Sequence, residues 1–149
     1  QYIFTSAYES GLNNYFILSV NASNQLEYIQ RNNDTASTVR GATALKANVW
    51  YQAVFKSNGD AIAISLRAAP ESLTAVGPNN GDWLADTTLR SNIVFSALER
   101  SSILYDALSL REVIYFDICL DGEEEAQLYS ESLLEVPTTG RAKTNFQIG

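Results

Sequence analysis

Apolar and polar residues alternate at period two along much of this chain, and helical periodicity is almost absent. Tyr2 to Ala7 reads as a short opening strand. Tyr15 to Val20 is a second, with Phe16, Leu18 and Val20 on one face and Tyr15 and Ile17 on the other. Asn21-Ala22-Ser23-Asn24 is turn chemistry, and Leu26, Tyr28 and Ile29 carry a return strand, so a hairpin is expected. Arg31 to Thr35 reads as a polar loop, and Thr38 to Leu45 as a weaker strand broken by Gly41. A clearer hairpin follows. Val49, Tyr51, Ala53 and Phe55 alternate inward, Ser57-Asn58-Gly59-Asp60 turns the chain, and Ile62, Ile64 and Leu66 alternate on the way back.

From Ala68 to Asp86 the pattern breaks down. Pro70, Gly77, Pro78, Asn79, Asn80 and Gly81 predict a long irregular loop carrying one aromatic, Trp83. Thr88 to Phe95 and Ser102 to Tyr105 are further short strands. Between Leu110 and Tyr129 comes the segment around which the rest of the chain is organised. Ile114, Phe116, Ile118 and Leu120 alternate with Val113, Tyr115 and Cys119, which predicts a strand buried on both faces. The period then switches. Asp121 stands at an N-cap position, Glu124 completes a capping box, and three acids load the first turn, so a short helical turn is expected over Gly122–Tyr129. Leu133, Leu134 and Val136 would add a last strand. The expected organisation is one domain over residues 1–136 and a tail or linker over 137–149. Many short strands with frequent turns make this an all-β sandwich or jelly roll of two antiparallel sheets.

Composition narrows the function more than the fold. At 149 residues, 46% hydrophobic and 18% charged, the chain is globular and long enough for a real core. No apolar run reaches membrane-helix length, so no membrane insertion is expected. A net charge of −7 with scattered Lys and Arg argues against a nucleic-acid partner. Acidity reads either as solubility or as cation binding. Met is absent and the chain starts at Gln1, so a processed chain or a segment of a longer one is expected. Cys119 has no partner for an internal disulfide and reads as a small core hydrophobe.

The order of features resembles the laminin-G and concanavalin A-like jelly rolls. The residues that carry the resemblance are Val49 to Phe55, then Asn58-Gly59-Asp60, then Ile62 to Leu66. Much later come Val113 to Leu120, Asp121-Gly122-Glu123-Glu124-Glu125 and Leu128-Tyr129. It spans Tyr15 to Tyr129 and departs from the family at Asp106-Ala107-Leu108-Ser109, where a Gly usually precedes the late strand. It implies a concanavalin A-like β-sandwich, with sugar binding as the commonest activity and calcium as a possible ion.

No His occurs, which excludes Ser-His-Asp, Cys-His and His-ligated metal chemistry. Glycosidases of this fold need carboxylates alternating along one strand, whereas Glu123 to Glu125 fall on a helical turn and Asp117 has no acidic partner on its face. A non-catalytic protein is expected. A sugar site would need an aromatic platform with amides and carboxylates, and Asn79, Asn80, Asp82 and Trp83 supply that set in one loop. The same residues also read as a turn with Trp83 plugging the core, while Trp50 reads as packing. Asp60 and Asp82 are the calcium candidates by residue type. Asn21 and Asn33 head Asn-x-Ser/Thr sequons in expected turns. Two functions follow: an adhesion module binding glycans on an extracellular or particle surface, or a structural subunit of an extracellular filament or virion. The latter would join neighbouring subunits, copies of itself included, through sheet edges and termini.

Overall fold

The computed structural model describes residues 1–8, 13–33, 35–99, 103–105, 110, 113–116 and 118–134. Strands β1 (Tyr2–Ala7), β2 (Tyr15–Val20), β3 (Gln25–Asn32) and β4 (Thr35–Ala44) pair in sequence order, each antiparallel to the last. The expected hairpin at residues 21–24 closes on Asn24, whose φ of 60° suits an Asn side chain. Further strands are β5 (Ala53–Ser57), β6 (Ile62–Leu66), β7 (Ala69–Pro70), β8 (Leu73–Val76) and β9 (Val94–Phe95). Six strands form one sheet in the order β8-β4-β3-β2-β1-β9, and β5-β6-β7 form a second. A ribbon of β10 (Ala97–Glu99) and β11 (Ile103–Tyr105) runs beside β1.

The core lies between the six-stranded and three-stranded sheets. Phe16, Val20, Leu26, Tyr28 and Val39 from the large sheet meet Ile62, Ile64 and Leu66 from β6, all buried. The alternation expected for these segments is what the packing uses, and the all-β sandwich of antiparallel sheets stands.

Several local expectations do not. Gly41 does not end β4, which runs on to Ala44, but the strand's register against β3 is irregular between Arg40 and Ala44. Gly41 pairs with Leu73, and a Cβ there would come within 2.9 Å of a Glu71 carboxylate oxygen. The stretch Ala68 to Asp86 is not a single irregular loop, since it contributes β7 and β8. Pro70 sits at a sheet edge, where a missing N–H costs nothing. The polar loop after Arg31 shrinks to the residues between Asn32 and Thr35. The strand expected over Thr88 to Phe95 is reduced to Val94–Phe95, and β10 was not expected.

The largest correction concerns Val113 to Leu120. The described residues of this stretch form no strand. Val113, Ile114, Tyr115, Phe116 and Ile118 are 37–67% exposed, Cys119 is exposed, and only Leu120 is buried. Alternation makes a segment fit to be a strand, but its backbone groups still need an edge to pair with, and here they have none among the described residues. The cap that follows is as expected. Asp121 accepts from the backbone N–H groups of Glu123 and Glu124 at 2.9 Å, and Glu124 accepts from that of Asp121. The helix it starts, α1 (Gly122–Leu134), is longer than a turn and absorbs Leu133 and Leu134, which were expected in a strand. Lys56 on β5 donates to the Leu120 carbonyl at 2.8 Å and pairs with Glu125, which is 2% exposed, so the start of α1 is tied to the small sheet. Val136, the boundary at residue 136 and the tail at 137–149 lie outside the described residues.

Candidate binding site

The loop expected to hold a ligand is largely occupied by the fold. Asn79 takes the place of a strand neighbour for β6, its Oδ1 accepting from the Ile62 N–H at 2.8 Å and its amide reaching the Ile62 carbonyl. Gly81, at φ +75°, lies against the β5–β6 turn so closely that a Cβ would sit 2.5 Å from the Gly59 carbonyl carbon. Ser57 donates to its carbonyl. Trp83 stacks parallel to Tyr28 at 6.0 Å and meets Phe16 edge-on at 5.1 Å, so its half-buried ring belongs to the core margin. The Tyr28 hydroxyl donates to the Asp82 carbonyl, and burial, with Asp82 and Asp86 nearby, pushes its pKa well above the usual tyrosine value. Asn80 is exposed and its side chain accepts from the Asp82 N–H at 3.4 Å. Of residues 79–83 Asn80 is exposed, and Asp82 is half-buried.

Trp50 corrects the sequence reading in the opposite sense. It is 60% exposed, because β5 begins only at Ala53 and the chain turns through Asn48 at φ 61° just before it. Arg67 lies over the Tyr51 ring at 4.6 Å and donates to the Trp50 carbonyl. Asp60 and Asp82 sit on the two adjoining loops. Among the described residues no group of three or more His, Cys, Asp or Glu side chains is placed to hold an ion. Of the sequon residues, Asn33 is exposed, while Asn21 folds its Oδ1 onto the Ser23 and Gln25 N–H groups at 2.9 and 3.0 Å.

A cavity that sequence reasoning missed opens on the other face of the large sheet. Register places Tyr15, Ile17 and Ser19 of β2 opposite Arg31, Ile29 and Glu27 of β3, and Glu27 opposite Arg40 of β4. These side chains point away from the sandwich core. Ala7, Ile17 and Leu98 of β10 form a small buried cluster there, with Tyr2, Tyr15 and Ile29 against it. Beside the cluster is a cavity of about 380 Å³, lined among others by Tyr2, Tyr15, Ser19, Glu27 and Ile29. Glu27 is only 7% exposed, and Arg40 pairs with it through Nε. The signal available in the sequence was this carboxylate, set between Leu26 and Tyr28 in the middle of a strand. A charge there must either reach solvent or find a partner across the sheet.

No protein-family model matches the chain, and no curated protein does. Solved structures do. The CBM40 of the Ruminococcus gnavus IT-sialidase, solved bound to α2,3-sialyllactose, superposes with a TM-score of 0.59 at 13% identity. The match covers 70% of this chain and 59% of that one. An S-layer domain-containing protein of Clostridium thermocellum gives a TM-score of 0.40 at 18% identity over 87% of this chain and 62% of that one. The chain thus spans about three fifths of each solved structure it resembles. The first likeness places it among β-sandwich folds.

Proposed function

We propose that this chain is a non-catalytic binding module that holds a glycan on an extracellular or particle surface. The observation that carries the reading is the outer face of the six-stranded sheet. There, side chains from β1, β2 and β3 converge on a cavity of ligand size instead of on a second full layer. A sandwich draws its stability from the face that is fully covered, which leaves the other face open to binding. The fold shared with a carbohydrate-binding module supports the choice of sugar as ligand. The loop residues Asn79, Asn80, Asp82 and Trp83 enter the proposal as a second contact, made through Asn80 and Asp82. Any calcium would sit beside them at Asp60 and Asp82. Screening the purified chain against an immobilised glycan panel, with and without a chelator, tests the reading. Selective retention of some glycans supports it, and an empty panel ends it.

Assembly is the second reading, and one observation favours it. Five large apolar side chains between Val113 and Ile118 stand exposed in a segment patterned for strand pairing. Light scattering on native material decides this point: a monomer removes the structural-subunit reading, and a large ordered oligomer makes it the principal one.

A further inference from the structure

We infer that the outer-face cavity takes an uncharged saccharide, held by Tyr2 and Tyr15 at its two ends and by Glu27 on its floor. The inference rests on the glycan-binding reading and specifies both the site and the chemistry of its ligand.

Register fixes the dimensions. Tyr2 lies opposite Ser19, and Tyr15 stands four residues earlier on the same β2 strand, so the tyrosines are separated by about 13 Å of strand. Ile17 and Ile29, themselves a cross-strand pair, fill the row between them. Two aromatic rings flanking an apolar strip match a molecule whose rings carry C–H groups on their faces and hydroxyls on their rims. A trough of this length has room for two linked sugar rings.

The polar groups decide the charge. Glu27 is buried and its Oε2 is held by Arg40. The pair is neutral as a unit, and the carboxylate keeps its second oxygen and unused lone pairs to accept hydroxyl hydrogens. Arg40, opposite Glu27 on β4, is already paired with it. Arg31 stands four residues along β3 from Glu27, opposite Tyr15, and its Nε–H donates to the Asn33 carbonyl at 3.0 Å. A carboxylated sugar lying over the floor would therefore meet the Glu27 carboxylate, whose countercharge on Arg40 is already paired, on a chain whose net charge of −7 repels anions at long range. A neutral sugar meets neither penalty.

The test is a panel of neutral oligosaccharides and their uronic-acid and sialylated counterparts, followed by titration of the tightest binder into ¹⁵N-labelled protein. Neutral members should be retained in preference to acidic ones. The amide shifts should centre on Ile17, Ser19, Glu27 and Ile29 and be smaller at Asn80 and Asp82. Tyr15→Ala should weaken binding about tenfold, with the thermal transition recorded to confirm folding. Glu27→Gln, which keeps the shape and leaves Arg40 uncompensated, should shift preference toward the acidic members. Tightest binding by acidic glycans, or shifts centred on residues 79–83, would overturn the assignment and leave the glycan-binding reading intact. A panel with no binder at all would overturn both.

Discussion

The two faces of the six-stranded sheet are built from the same strands in the same register, yet they have become different kinds of surface. On the inner face Phe16, Tyr28 and Val39 are at most 1% exposed, and the aromatic rings of Phe4, Phe16, Tyr28 and Trp83 meet edge-to-face or stacked. On the outer face, one residue along each strand, stand Ile17, Ser19, Glu27 and Arg40, covered only in part by β10. What separates them is the layer on top. A three-stranded sheet with its own apolar row seals the inner face, whereas a short ribbon leaves a trough on the outer one. One face is therefore committed to stability, and the other is free to carry a ligand.

That contrast can be broken most forcefully at Phe16. Phe16→Ala should cost about 4 kcal/mol of unfolding free energy, because it opens a cavity where three aromatic partners converge. Denaturant titration reads this directly, and a loss similar to that of an exposed residue would mean the inner face is not the core. The two tryptophans sharpen the point. Trp83→Ala should cost about 2–3 kcal/mol, less than a fully buried ring. Trp50→Ala, at a 60% exposed site, should stay within about 0.5 kcal/mol. Reversal of that order would restore the sequence-based view of Trp50 as packing.

The outer face gives a smaller effect of a different kind. Arg40→Ala strands the buried Glu27 carboxylate and should cost about 1–3 kcal/mol. Below Arg40→Ala comes Tyr28→Phe, which removes one hydrogen bond to the Asp82 carbonyl and should cost about 1 kcal/mol. Tyr28 also carries a pH signature. Its folded pKa lies above the unfolded one, so its contribution is complete below about pH 10 and declines as pH rises beyond that, where only the unfolded chain ionises readily. Ultraviolet titration should show the ionisation of Tyr28 displaced to higher pH while the fold persists.

Local chemistry was legible in the chain. The strands Tyr2–Ala7 and Tyr15–Val20, the Asn58-Gly59 turn of the β5–β6 hairpin and the Asp121–Glu124 capping box form where their residues indicate, although β5 starts at Ala53 and leaves Val49 41% exposed. Each depends on neighbours within a few positions, so the sequence contains the whole interaction. The loop at residues 79–83 was visible as a cluster of amides, an acid and an indole. Whether those groups faced a ligand or the protein was not visible, because Asn79 is engaged by Ile62 and Trp83 by Phe16 and Tyr28, all distant in the chain.

Tertiary structure decided the rest, and for one physical reason. A strand's backbone groups are satisfied only by another strand, so alternation specifies a candidate and an available edge specifies the outcome. Leu73–Val76, hidden among prolines and glycines, found the edge of β4. Val113–Ile118, with the stronger alternation, has no partner among the described residues. The trough between Tyr2 and Tyr15 arises in the same way. Its residues were readable one by one, but only the pairing of β1, β2 and β3 set them around a common space.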